Sequence, residues 1–158
     1  MSVELVRNYF KENNIDKEIL EFPVSSATVE LAAQAVGVEP ARIAKTLSFY
    51  TKEKDAAILI VTAGDMKIDN SKFKHFFGMK AKMLASEDVE KLTGHAIGGV
   101  CPFGNLEGFS VYLDVSLKRF ETVFPAAGSG NSAVEMTCEE LEQDSKSKEW
   151  IDVCKPSM

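Results

Sequence analysis

Residues Ala56–Thr62 form an apolar, largely β-branched run, AAILIVT, that constrains the fold more than any other segment. The run has the length of a β-strand and is far shorter than the roughly 20 apolar residues needed to cross a bilayer. Its unbroken apolar character is typical of a strand in the middle of a sheet. The chain is therefore expected to fold around a sheet in which this strand is central.

Helical and extended segments alternate irregularly along the rest of the chain. Helices are expected at Val3–Asn14, from Val29 to Val36 before Gly37, just after Pro40, at Asn70–Phe77 behind the N-cap Asp69, at Glu87–Leu92, at Ser116–Phe120, and from Cys138 to Asp144 behind a capping box. Short strands are expected at Glu21–Val24, Thr46–Tyr50, Ala81–Leu84, Ser110–Asp114, Thr122–Pro125 and Ala133–Thr137. Strict βαβ alternation is missing, so the pattern predicts a mixed α/β (α+β) fold, with residues 1–158 as a single domain.

Charge and cysteine content narrow the class of protein. The net charge of −6 argues against a protein that coats nucleic acid without specificity. The first 14 residues carry charges throughout and lack the apolar core of a secretory signal. Three widely spaced cysteines without a CxxC pair disfavour a disulfide framework or a zinc site and favour a reducing cytoplasm. No metal, cofactor or membrane contact is expected.

Lysines cluster in one segment of this acidic chain. The cluster consists of Lys67, Lys72, Lys74, Lys80 and Lys82, with His75 nearby and Asp69 as the one acid between them. Such a cluster is either a solvated face or a cationic patch that contacts a few phosphates. Both interpretations remain open from composition alone.

The loop from His95 to Gly104, HAIGGVCPFG, is the most unusual local feature. Three glycines and a proline within its last seven residues disfavour both helix and strand. Glycine allows a loop to turn several amide N–H groups toward one point, which suits a phosphate, a carboxylate or the carbonyl oxygen of an ester under attack. The alternative is a plain connection that happens to be rich in glycine.

Lys45 is the second candidate, because it lies between the apolar residues Ile43 and Leu47. A partly shielded ammonium there could bind a phosphate or stabilise charge, whereas the alternative is a surface lysine whose stem covers the core. Cys101 as a nucleophile is disfavoured, because the spacing of neither His95 nor His75 identifies a base. Metal-ligand motifs and the GxSxG motif of serine hydrolases are absent from the sequence.

Lys45 and the glycine-rich loop lie within stretches that resemble the YbaK family, the prolyl-tRNA synthetase-associated editing domains that deacylate mischarged tRNA. The stretches are SSATVELAAQAVGVEPARIAKTLSF, ILIVTAGDMKIDNSKF, LTGHAIGGVCPFG and VYLDVSLKRFETVFPAAGS. The strings AKTL and GGVCPFG, in this order, are specific as a pair. The resemblance covers nearly the whole chain and implies a twisted, barrel-like mixed sheet surrounded by short helices.

The resemblance also implies a trans-acting aminoacyl-tRNA deacylase, a carboxylic ester hydrolase in translation fidelity. A hydroxyl of the tRNA itself assists a water molecule in such domains, so no side-chain nucleophile is needed. Carried onto this chain, Lys45 holds the acceptor end, Gly98 and Gly99 donate amides to the aminoacyl carbonyl, and Pro102 stiffens the loop. The remaining substrate-binding candidates are Phe22, Thr46, Gly128 and Ser129.

Departures from the family pattern leave the substrate open. The branch that removes cysteine has serine and aspartate where this chain has Ala126 and Ala133, and tyrosine in place of Phe22. The branch that removes alanine has a histidine near Ala127–Gly128, which this chain lacks. The alternative function is therefore a non-catalytic YbaK-like module that binds aminoacyl-tRNA, an amino acid or a synthetase as a regulator.

The deacylase interpretation also predicts the binding partners of the chain. The five lysines would give weak, salt-sensitive contact with tRNA phosphates. A synthetase or an elongation factor is then expected to help deliver the mischarged tRNA. The family resemblance favours a monomer or a weak dimer.

Overall fold

A computed structural model describes residues 2–25, 28–95, 100–104 and 110–157 of the chain. Its central strand is β3, Ala57–Ala63, in which all seven residues are buried. Strand β3 pairs along its length with β2, Ile43–Tyr50, in antiparallel register from Ala44↔Ala63 to Tyr50↔Ala57. The predicted central strand is confirmed, displaced by one residue.

Six strands form the main sheet, in the order β8–β6–β2–β3–β5–β9. The remaining members are β5 (Ser110–Asp114), β6 (Thr122–Pro125), β8 (Met136–Thr137) and β9 (Trp150–Ile151). The β6–β2, β3–β5 and β5–β9 pairs are parallel, and the other two pairs are antiparallel. The sheet curls into a half-barrel, which confirms the predicted mixed α/β class.

Side chains on the two faces of β3 belong to separate apolar cores. Leu59 and Val61 point into the larger core, which also contains residues of the first and last helices. Ile58 and Ile60 point into the smaller core, which contains Phe73. Burial on both faces explains why this strand is apolar at every position rather than at alternate ones.

Five α-helices cover the described part of the sheet. They are α1 (Ser2–Glu12), α2 (Val29–Val36), α3 (Asn70–Phe77), α4 (Ser86–Thr93) and α5 (Cys138–Asp144), and short 3-10 helices lie at Pro40–Arg42 and Val115–Arg119. The predicted caps of α3 and α5 are confirmed, because Asp69 accepts from the N–H groups of Ser71 and Lys72, and Thr137 with Glu140 forms a capping box. None of the described helices is both long enough and apolar enough to cross a membrane.

Three of the expected strands differ from the observed structure. The strand predicted at Glu21–Val24 is only two residues long and begins one residue earlier, as β1 (Leu20–Glu21). The single strand predicted at Ala133–Thr137 is two strands, β7 (Ser132–Ala133) and β8, because β7 pairs with β1 (Leu20–Glu21) whereas β8 pairs with β6. The segment predicted as Ala81–Leu84 contributes only an isolated bridge between Met83 and Phe49. A separate two-stranded antiparallel sheet, formed by β4 (Met66–Ile68) and β10 (Cys154–Pro156), was not expected from the sequence.

Candidate active site

A cavity of about 440 Å³ lies beside an uncovered part of the β2 edge. Strand β6 pairs with β2 only at Ile43 and Ala44. Farther along, residues 82–84 bond to the main chain of Ser48 and Tyr50. Between these two contacts none of the described strands covers β2, and the cavity fills the gap. Its walls come from α2, residues 43–48 of β2, and positions within 83–89, 100 and 124–133.

Thr46 lies in the middle of the uncovered edge. Ser48 accepts a hydrogen bond from Leu84 at 3.1 Å, and Tyr50 donates one to Lys82 at 2.9 Å, so the even-numbered main-chain groups of β2 point away from β3. The same alternation directs the N–H and C=O of Thr46 toward the cavity. Its hydroxyl Oγ1 is buried and has no hydrogen-bond partner among the described residues. An unpaired buried hydroxyl costs about 1–3 kcal/mol, so a polar group of a ligand would be stabilised here.

Lys45 leaves β2 on the face opposite the Thr46 side chain and reaches the turn Gly64-Asp65-Met66, which we call the lysine-binding turn. The ammonium Nζ donates to the carbonyl oxygens of Gly64, at 3.5 Å, and of Met66. Two of its three N–H bonds are thereby directed to these carbonyls, and the third has no acceptor among the described residues. Burial lowers the pKa of Lys45 from its ordinary value, because the half-buried ammonium is partly desolvated.

The wall of the cavity facing β2 is small and mostly apolar. Ala126 and Ala133 line it and face each other through an isolated antiparallel bridge. Phe124 adds an aromatic surface, and Ser132 adds a hydroxyl. The cavity therefore combines one cation and a few hydroxyl and amide groups with apolar side chains, the usual composition of a small-molecule subsite.

The glycine-rich loop reaches this cavity through Val100, which lines it. Pro102 instead lines a second cavity of about 260 Å³, together with Tyr9 and Lys146. Between them the side chain of Cys101 is fully buried, as is that of Phe103. Gly98 and Gly99, the predicted amide donors, lie outside the described residues.

A buried histidine joins the two ends of the loop. His95 is fully buried, and its Nε2 lies 2.7 Å from the carbonyl oxygen of Phe103. Burial lowers the pKa of His95, so the neutral ring donates this hydrogen bond. Burial also raises the pKa of Cys101 to about 12, although its Sγ lies 3.7 Å from His95 Nε2. The thiol is therefore protonated at neutral pH and unsuited to act as a nucleophile.

Residues 24–143 match the family described as aminoacyl-tRNA editing domain. The chain belongs to this family. The matched range contains every residue that lines the larger cavity.

Proteins similar to this editing domain match between 72% and 98% of its length. The chain is 58% identical over 155 residues to the uncharacterized protein YwhH of Bacillus subtilis, covering 98% of each. It is 29% identical over 115 residues to EbsC of Enterococcus faecalis, a candidate Cys-tRNA(Pro)/Cys-tRNA(Cys) deacylase, covering 72% of this chain and 70% of EbsC. A crystal structure of a candidate trans-editing enzyme for prolyl-tRNA synthetase superposes with a TM-score of 0.88 at 30% identity, covering 98% of this chain and 97% of that one.

Four of the predicted substrate-binding residues of the editing domain do not line the larger cavity, and Pro102, which lines the second cavity, is one of them. The Phe22 N–H donates to the Asn131 carbonyl at 2.8 Å, and the Ser129 hydroxyl donates to Ser132 at 2.8 Å, so both contact the segment that carries the cavity wall. Gly128 has a φ of +97° and makes a backbone hydrogen bond to the Cys101 thiol. These residues therefore contact the cavity wall or the glycine-rich loop without lining the cavity themselves. Lys45 and Thr46 line the cavity directly.

The five predicted phosphate-contacting lysines are all exposed but differ in their partners. Lys72 donates to Asp152 and to the Cys154 carbonyl, each at 3.0 Å. Lys82 precedes Met83, a cavity-lining residue, and its ammonium lies 5.7 Å from the centre of the Tyr50 ring. Lys67 lies on β4, Lys74 lies on α3, and Lys80 follows α3. Lys82 is thus next to the cavity, and Lys72 is held in an ion pair.

The lysine-binding turn was missed in the sequence. A glycine followed by aspartate directly after a strand is a turn signal that could have located it. Its role depends on main-chain carbonyl groups, which every residue has, so the residue types do not indicate it. The uncovered edge at Thr46 was missed for the same reason.

Proposed function

We propose that this editing domain is a trans-acting deacylase that hydrolyses the ester bond between a mischarged amino acid and its tRNA. The observation that carries the proposal is the shared position of Lys45 and Thr46 on one cavity. Lys45 offers a fixed cation with an N–H to spare, and Thr46 offers main-chain and hydroxyl groups on an uncovered strand edge. Family membership supplies the substrate class.

In the proposed reaction, Lys45 donates to a phosphate or ribose oxygen of the terminal nucleotide and holds the ester over the cavity. The aminoacyl group enters the cavity beside Thr46, against the wall formed by Ala126 and Ala133. The main chain of Gly98 and Gly99 is the proposed source of N–H groups for the carbonyl oxygen as it becomes negative.

Water is the nucleophile, and it attacks the ester carbonyl carbon with help from a neighbouring hydroxyl of the tRNA ribose. The bond between the carbonyl carbon and the ribose oxygen then breaks, and a proton passes to the ribose oxygen. The products are the free amino acid and uncharged tRNA. The protein contributes position and electrostatics, which is consistent with a Cys101 thiol that stays protonated.

The alternative, a module that binds aminoacyl-tRNA or a synthetase without catalysis, has one specific observation in its favour. Ala126 and Ala133 leave the cavity wall without an ionisable side chain. Such a wall could bind an aminoacyl group and leave it intact. We place either activity in the cytoplasm, with the exposed lysines contacting tRNA and a synthetase or elongation factor delivering it.

A panel of aminoacyl-tRNAs tests the proposal. Wild type and Cys101→Ala are incubated with tRNAPro carrying alanine, cysteine, serine, threonine or proline, and release of the amino acid is followed. We expect release of at least one mischarged amino acid, at similar rates for both proteins. Binding of a mischarged tRNA without release would favour the alternative. Loss of release in Cys101→Ala, with the fold intact, would contradict the mechanism.

A further inference from the structure

The lysine-binding turn is fixed by an ion pair that does not belong to the cavity. Arg119 donates to both carboxylate oxygens of Asp65, from Nη1 at 3.0 Å and from Nη2 at 2.6 Å. A two-point contact of this kind fixes orientation as well as distance. The third guanidinium nitrogen, Nε, donates to the carbonyl of Ser116 at 2.8 Å, which holds Arg119 itself in place.

The rest of the turn is enclosed by main-chain groups and by the side chain of Val29. A Cβ atom on Gly64 would lie 2.1 Å from the carbonyl oxygen of Pro40 and 2.8 Å from Cγ1 of Val29. On the other side, the N–H of Ser157 donates to the carbonyl of Asp65 at 3.0 Å. Within the turn, Asp65 is the residue whose side chain forms an ion pair with another described residue.

We propose that Arg119 and Asp65 are positioning residues for Lys45, and this inference rests on the proposed function. Their ion pair holds the carbonyl groups of Gly64 and Met66 at the place where these accept from the Lys45 ammonium. Neither Arg119 nor Asp65 lines the cavity, so both act through the turn. The turn directs the remaining N–H of Lys45 toward the substrate.

The charges around Lys45 make its titration a readout of this geometry. Burial lowers the pKa of Lys45, whereas Cys154, Asp65 and Glu30 act in the opposite direction. If the turn loosens, the ammonium loses its two carbonyl acceptors but becomes better hydrated, and since desolvation is the largest cause of its lowered pKa, the pKa rises toward the ordinary value near 10.4. In Arg119→Gln the carboxylate of Asp65 also loses its partner, which changes the pKa of Lys45 in the same direction.

The experiment follows the ¹³Cε resonance of Lys45 against pH by NMR, with the resonance assigned from its loss in Lys45→Arg. We expect the pKa of Lys45 to rise by about half a pH unit or more in Arg119→Gln, and by less in Arg119→Lys, which keeps the charge and one hydrogen bond. The matched control is Arg7→Gln. Arg7 forms an equally short 2.6 Å ion pair with Glu21 at similar exposure, far along the chain from the turn.

Arg7→Gln should leave the titration of Lys45 unchanged. Arg119→Gln and Arg7→Gln should each shift the unfolding midpoint by no more than about 4 °C, as expected for exposed ion pairs. Folded Arg119→Gln in which Lys45 titrates as in wild type would overturn the inference, as would an equal change in Arg7→Gln.

Deacylation gives a second readout. With a mischarged tRNA that wild type hydrolyses, kcat in Arg119→Gln should fall by about tenfold, the effect of a small displacement of a positioned group. Arg119→Lys should restore part of this loss. Absence of deacylation by wild type would count against the proposed function, and the titration would then decide the role of Arg119 by itself.

Discussion

The ammonium group of Lys45 donates to the main-chain carbonyl of Met66, three residues beyond Ala63, the last residue of β3. The next residue, Thr46, presents its main-chain groups to the cavity from the uncovered edge of the same strand. Two consecutive residues, one with a cationic side chain and one with neutral polar groups, therefore line one cavity. This arrangement requires the strand β2 to be rigid, and its full-length pairing with β3 provides that rigidity.

Gly64→Ala should destabilise the protein by about 2–4 kcal/mol, because overpacking against main chain is not relieved by a rotamer change. The new Cβ would lie 2.1 Å from the Pro40 carbonyl oxygen. Gly37→Ala is the matched control, since Gly37 has a φ of +76° but no atom near its Cβ position. It should cost only about 1 kcal/mol through backbone strain. Urea unfolding measures both, and equal costs would contradict the close approach at Gly64.

His95 should contribute to the loss of stability in acid. Its pKa in the folded protein is lowered by burial, so the unfolded chain binds a proton first as the pH falls below about 6.5. The stabilising contribution is complete above that pH and is lost as the pH falls through the folded pKa. In His95→Gln the fall in unfolding free energy between pH 7.5 and 5.5 should be smaller, by at most about 1.4 kcal/mol per pH unit.

Wild type measured over the same pH range is the reference for this slope. An unchanged dependence in His95→Gln would show that His95 is not held neutral by burial.

Cys101 should contribute to the loss of stability in alkali. Its pKa is raised to about 12, whereas an unfolded cysteine ionises near 8.5. Its contribution to stability is therefore complete below about pH 8.5 and is lost as the pH rises toward 12. The unfolding free energy of Cys101→Ala should fall less steeply between pH 8 and 10 than that of wild type, by up to about 1.4 kcal/mol per pH unit. Equal slopes would contradict a buried, protonated thiol.

Elements with local signals were predicted well from the sequence. The bounds of α3 and α5 follow from side-chain caps a few residues away, and the predicted ranges Asn70–Phe77 and Cys138–Asp144 are confirmed. The break between β7 and β8 was not predictable locally, because Val134 donates its N–H to Pro125 and the chain changes partner strand there. Pairing between distant residues decides such breaks.

The candidate site was predictable only in part. Lys45 could be singled out by its apolar neighbours together with the family resemblance, and the structure places it on the cavity. The groups that bind its ammonium were not predictable, because Gly64 and Met66 accept through main-chain carbonyl oxygens. The contribution of Arg119 depends on a pairing with Asp65, 54 positions away in sequence, for which neither residue type is diagnostic.

Lys82 and Lys72 should differ in their contribution to tRNA binding. Lys82→Gln should reduce the slope of log K against log salt concentration by about 1, the effect of losing one phosphate contact. Lys72→Gln should change the slope less, because Lys72 already donates to Asp152. Binding of a mischarged tRNA at several salt concentrations measures both slopes. Equal reductions would contradict a role for the ion pair of Lys72.

The most direct test of the account is the single-turnover rate of amino-acid release from a mischarged tRNA by wild type and Lys45→Ala. Lys91→Ala removes a comparable ammonium from the exposed end of α4 and serves as the control. Loss of one fixed group that stabilises charge is worth roughly 10²–10³ in rate. We expect release by Lys45→Ala to be at least about a hundredfold slower than by wild type, and release by Lys91→Ala to be unchanged. Release by folded Lys45→Ala at the wild-type rate would contradict it.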